Sequence, residues 1–121
     1  MNSGPITCCI RYKITLGKQP EFEHYARVWK RIIGRLGGTY IGCFLPGNEP
    51  PDASHFSFPD IGHKGPDDTA IVIFTFPQLA DYERYRHNAH LDPECEPITD
   101  FYNETKCFSS YERTFVRKLD L

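Results

Sequence analysis

Residues 70–95, AIVIFTFPQLADYERYRHNAHLDPEC, decide the fold. They hold a strand, a proline boundary, an amphipathic helix and the start of another helix, with almost no linker. The strand is Thr69 to Phe76. Ala70, Val72, Phe74 and Phe76 fall on one face and Ile71 and Ile73 on the other, because successive strand side chains point to opposite sides. Pro77 closes it, since proline cannot donate to a β ladder. Leu79, Tyr82, Tyr85 and Arg86 mark a helix ending near Asn88. Asp92-Pro93-Glu94 predicts a restart, with Asp as N-cap, Pro at the first position and Glu where the helix dipole favours an acid. Ile98, Phe101 and Tyr102 give this second piece an apolar side.

An earlier stretch, Thr7 to Leu36, has the same strand-then-helix grammar. Ile6 to Ile14 reads as a strand, with Ile6, Cys8, Ile10, Tyr12 and Ile14 on one face and Thr7, Cys9, Arg11 and Lys13 on the other. Gly17 breaks it, and a helix follows over Pro20 to Leu36. Phe22, Ala26, Trp29, Ile33 and Leu36 recur at three and four and make one stripe. Gly37-Gly38 stops that helix. Thr39 to Leu45 is the second strand, ended by Pro46-Gly47, and Cys107 to Val116 is the fourth. The order is βαββαβ with a split second helix: an α+β chain with an antiparallel four-stranded sheet, in one domain over residues 1–121.

Residues 46–68 are a long connection with five prolines and three glycines. A hairpin loop needs about two to five residues. Phe56, Phe58 and Ile61 also require somewhere to pack. Two readings stand: a meandering surface loop, or an arm that covers a pocket mouth or reaches a partner.

With 40% hydrophobic and 25% charged residues and a net charge of −2, the composition is that of an ordinary globular chain. Lys and Arg are spread out, which argues against a nucleic-acid partner. The longest fully apolar run, Ala70 to Phe74, is too short to span a bilayer. MNSGPITCC lacks the pattern of a signal peptide. Five cysteines, an odd number without C-x-x-C, read as thiols in a reducing cytoplasm.

The strand faces bear on assembly. A sheet with helices on one face and water on the other should alternate apolar and polar residues. Strand three does not. Strand two sets Ile41, Cys43 and Leu45 against Tyr40 and Phe44. Both faces require burial, and the helices supply one cover. The second is expected from another copy: a homodimer through the sheet face. Partial cover by residues 46–68 is the alternative.

Chemistry is harder to read. The aromatic residues Tyr12, Trp29, Tyr40, Phe44, Phe74, Tyr82, Tyr85, Tyr102 and Tyr111 are numerous for a chain of 121 residues. They serve as core, or they line a cleft between sheet and helices for a small apolar or aromatic ligand. The candidate pocket is Tyr12, Trp29, Tyr40, Phe44, Phe74, Tyr85, Arg86 and Tyr111, with Arg86 as an anion anchor. The break before Asp92 would open its mouth. His87 and His90 share one side of a helix end, and His55 and His63 lie near Asp60, Asp67 and Asp68. Without a zinc spacing these read as solvated histidines, and no metal is expected. His24 reads as exposed. Tyr82–Arg86 and Tyr111-Glu112-Arg113 juxtapose acid and base, which reads as surface ion pairing. No nucleophile elbow, phosphate loop, dinucleotide fingerprint or Cys-His-Asn arrangement is visible, so no cofactor is expected and no catalytic set is legible.

The chain resembles bacterial members of the NIPSNAP family. The resemblance is carried by LGGTYIGCFLP (36–46), IFTFPQLADYERYR (73–86), DPEC (92–95) and ETKCFSSYERTFVR (104–117). It implies a ferredoxin-like protomer of the dimeric α/β-barrel group, and mainly a fold and a dimer, because the family is largely without assigned chemistry. Relatives pass from strand two to strand three through a short loop, so roughly Asp52 to Asp68 looks inserted. Many also have Arg-x-Tyr in strand one. Here Tyr12 keeps the tyrosine place while Ile10 stands at the arginine. The resulting expectation is a cytoplasmic homodimer binding a small molecule. The alternatives are a cofactor-independent monooxygenase- or isomerase-like enzyme, and a scaffold that uses the 46–68 arm.

Overall fold

Strand β1 (Ile6–Ile14) lies inside a four-stranded sheet ordered β2-β3-β1-β4. The computed structural model describes residues 4–47 and 65–121. After β1 come α1 (Gln19–Arg35), β2 (Thr39–Phe44), β3 (Thr69–Phe76), α2 (Leu79–Asn88), a single 3-10 turn (Ala89–Leu91), α3 (Cys95–Thr105) and β4 (Phe108–Val116). This is the expected βαββαβ order with the second helical region split. All strand pairs are antiparallel, and β1 meets β3 from Ile6↔Phe76 to Lys13↔Thr69.

Period-two alternation builds the core. Cys8, Ile10, Ile14, Ala70, Val72, Phe74 and Phe76 are all buried under the helices. From α1, Phe22 and Ala26 pack with Ile14 and Ala70, while Ile33 packs with Phe74 and Phe76. Val28 and Ile32 point elsewhere on the same helix and close against Ile98 of α3. Each fully buried side chain of this size contributes about 1.5–3 kcal/mol by leaving water.

The helix stop works by space as well as conformation. Gly37 adopts φ +97°, a region that costs glycine little. Gly38 sits against the core, where an added Cβ would lie 2.6 Å from Ile33 Cγ2 and 2.8 Å from Phe76 Cζ.

Two expectations need correction. The register of β2 shifts between Tyr40 and Gly42, so Ile41 is an extra residue in the strand. Beyond this bulge, Cys43 joins Tyr40 on the helix side, and Phe44 pairs with Ile71 on the opposite face. Strict alternation had set Tyr40 with Phe44; one unpaired residue reverses that parity. Second, α3 begins at Cys95, later than the Asp92 cap implied. Asp92 Oδ1 instead accepts the Glu94 N–H at 2.9 Å and holds the turn before the helix.

On the sheet face away from the helices, Cys9, Ile71 and Ile73 are half-buried, and Phe44 is 52% exposed. No helix of the described residues is long and apolar enough to cross a membrane. Most of the 46–68 connection lies outside the described residues, with Phe56, Phe58, Ile61, His55, His63 and Asp60.

Candidate functional site

A cavity of about 330 Å³ lies between sheet and helices. Its floor comes from β1, β3 and β4 through Ile10, Tyr12, Val72, Phe74 and Arg113. One wall is α1, with Tyr25, Ala26, Trp29 and Ile33. The opposite wall is the broken helical layer, with Tyr85, Arg86, Ala89, His90 and Cys95. The 3-10 turn contributes Ala89 and His90 to this wall, where the helical layer is interrupted.

The rings brace one another. Tyr12 meets Phe22 at 5.1 Å and Phe108 at 4.8 Å between centroids, both edge-on. Tyr40 stacks on Phe74 at 6.5 Å with planes 6° apart. Phe74 meets Tyr85 edge-on at 6.1 Å. Edge and offset contacts of this kind add about 0.5–1.5 kcal/mol beyond area and fix ring positions. Burial pushes the Tyr12, Tyr25, Tyr40 and Tyr85 phenols well above their ordinary range. They stay neutral and can donate or accept.

Two residues of this lining carry a buried donor without an acceptor. Trp29 Nε1 and Arg113 Nε are buried and make no hydrogen bond within the protein. The Trp29 indole is still near enough to Tyr25 to oppose the upward shift of its phenol. The Arg113 guanidinium lies over the Tyr111 ring, 5.3 Å from its centroid. It also opposes the burial that raises the Cys8 thiol. The register explains its position: Arg113 is the cross-strand partner of Ile10. Strand one has no arginine at that place, and the guanidinium there comes from β4.

Of the eight pocket residues expected from sequence, Tyr12, Trp29, Tyr40, Phe74, Tyr85 and Arg86 line the cavity together. Phe44 does not, because the β2 bulge turns it to the far face. Tyr111 sits on the edge strand, 53% exposed, and touches Tyr12 at 6.0 Å without reaching the space. Arg113, His90, Cys95 and Tyr25 were not anticipated there. Parity could have found Arg113, since it shares a strand face with Tyr111. Reading it as an ion-pair partner of Glu112 hid it; the two point to opposite faces.

His24 is exposed and rests on Phe101, 4.6 Å between ring centroids. Arg84 pairs with Asp81 at 3.0 Å on the surface of α2. Among the described residues no group of three or more His, Cys, Asp or Glu could hold a metal. The composite site with His55 and His63 falls outside them.

A model of the NIPSNAP family matches residues 8–121. A comparison with curated proteins gives no match. Among solved structures, an uncharacterised NIPSNAP-like domain protein from Burkholderia xenovorans superposes with TM-score 0.67 at 16% identity, covering 97% of this chain and 87% of that one. A NIPSNAP family protein from Agrobacterium tumefaciens gives TM-score 0.66 at 20% identity, over 96% of this chain and 94% of that one. SnoaB, a cofactor-independent oxygenase from Streptomyces nogalater, gives TM-score 0.55 at 15% identity, over 98% and 96%. At these identities the structures share a fold. The family match spans nearly the whole chain, through both strand–helix halves and the cavity between them, and the chain belongs to the NIPSNAP family.

Proposed function

We propose that the protein is a homodimer that binds a small apolar or aromatic ligand between its sheet and its helices. The cavity carries this reading: about 330 Å³, walled mostly by rings and aliphatic groups, with a few polar groups that could orient a ligand. Its size is at the small end for ligand sites. The dimer is supported by the far sheet face, where Ile71, Ile73 and Phe44 have no helix over them. A second copy would bury this row and remove the cost of leaving it in water. A cytoplasmic location belongs to the same reading and is supported by five free cysteines.

Native mass spectrometry of freshly purified protein tests both parts. A dimer with a stoichiometric extra mass is the expected result. An empty protein that also fails to take up any member of an aromatic fragment library would overturn the ligand, and a stable monomer at micromolar concentration would overturn the dimer.

An oxygenase is the second reading. It is favoured by the fold shared with SnoaB and by Trp29, His90 and Tyr12 lining one cavity. Oxygen uptake with the ligand recovered from the protein separates the two. Uptake that falls in Tyr12→Phe without loss of fold supports an enzyme; no uptake supports binding alone.

A further inference from the structure

We propose that the cavity selects a carboxylate, holding the acid beside the Arg113 guanidinium that lines it and the apolar body among the aromatic rings. This rests on the small-molecule reading of the same cavity and adds the chemical class.

Arg113 is charged at every physiological pH, and its Nε is buried without a partner. A buried unsatisfied donor costs about 1–3 kcal/mol, more when charged, so the site is incomplete as it stands. The guanidinium carbon lies over the Tyr111 ring. A cation–π contact of this kind consumes no acceptor and does not neutralise the charge. A carboxylate beside the guanidinium would accept charge-assisted hydrogen bonds and balance its charge. A neutral carbonyl would accept one and leave the charge uncompensated.

The surroundings agree on sign. Arg86 stands beside the helical break, and no Asp or Glu is among the described residues lining the cavity. Nothing in the lining therefore neutralises Arg113 from within. Positive groups beside a low-dielectric cleft attract anions and raise their local concentration. Trp29 Nε1, the other orphan donor, is on the α1 wall. The rings take the remainder of the ligand.

Trp29 is the single tryptophan of the chain and lines the cavity, so its emission reports occupancy. The test compares phenylacetate, 4-phenylbutanoate and 2-naphthoate with their amides, by calorimetry and, where the probe is transparent, by fluorescence. At least one acid is expected to bind roughly tenfold or more tightly than its amide, with an affinity that falls as salt rises. Arg113→Gln should abolish the preference, with acid affinity falling at least tenfold further than amide affinity. Arg113→Lys should keep a reduced preference. Equal affinity of acid and amide in the native protein overturns the carboxylate and leaves the cavity reading standing. Binding of neither series overturns both. A preference that survives in folded Arg113→Gln, checked by circular dichroism, removes Arg113 as its seat and overturns the proposal. Tighter binding of phenyl phosphate than of any acid also overturns it.

Discussion

The Arg35 guanidinium grips both oxygens of Asp92, Nε to Oδ2 at 2.9 Å and Nη2 to Oδ1 at 2.8 Å. The same Nη2 reaches Glu94 at 2.8 Å, and Arg31 holds Glu94 with contacts of 3.1 and 2.7 Å. These bonds tie the end of α1 to the turn between α2 and α3, next in sequence to the cavity-lining His90 and Cys95. The Asp92 carboxylate is only 4% exposed, whereas Glu94 is 33% exposed. Arg35→Met strands a buried carboxylate and is expected to lower Tm by several degrees. Arg31→Met removes a more exposed pair and should lower it clearly less.

The clamp is also acid-sensitive. Hydrogen bonds from Arg31 and then Arg35 lower Glu94 to about 2, and Arg35 holds Asp92 below its usual range. A carboxyl depressed in the folded state stabilises it above the unfolded pKa and loses that effect as pH falls through the folded value. In Arg35→Met, the Tm deficit should be full at neutral pH and shrink between about pH 4.5 and 2. High salt should also shrink it. A deficit independent of pH would assign Arg35 a packing role instead.

Two glycines of one helix end should respond with opposite signs. Gly38→Ala forces a methyl against Ile33 and Phe76 and should cost about 1–3 kcal/mol in urea denaturation. At Gly34, inside α1, an added Cβ meets nothing within 4 Å. Gly34→Ala should therefore stabilise by about 0.5–1 kcal/mol through helix propensity.

Base titration provides a third check. Four of the seven tyrosines, Tyr12, Tyr25, Tyr40 and Tyr85, have phenols raised by burial. A phenol raised in the folded state binds its proton more tightly there, so stability falls once pH passes the unfolded value near 10. Tyrosinate absorbance at pH 11 should stay well short of seven residues while the protein is folded, then rise on adding denaturant. Full ionisation before unfolding would contradict the burial of these rings.

For the sheet face, Ile71→Glu or Ile73→Lys places a charge where the second copy is proposed to pack. Light scattering should show a monomer with native circular dichroism. Loss of the fold in both variants would show instead that the face is covered within one chain.

Much of this was legible because alternation and punctuation are local. β1 and β3 have the bounds that their period-two patterns predict, and the break before Asp92 is where a cap and a proline announce it. What failed were contacts across the chain. Asp92 reads as a helix cap, but Arg35, far away in sequence, holds its side chain. Arg113 looks like a partner for the adjacent Glu112, whereas register sets it opposite Ile10 over the cavity. Phe44 and Tyr40 look like face-mates until the bulge intervenes.

That bulge has a wider consequence. Ile41 works like an inserted letter in a code read two at a time. Tyr40 before it and Cys43 after it keep the same wall only because the extra residue is skipped. A relative lacking Ile41 would still present the same tyrosine and cysteine to the helix side of the sheet. A one-residue gap at this point is therefore structurally silent. An alignment that forbids the gap would hand the outward Phe44 to the inner wall of its neighbour.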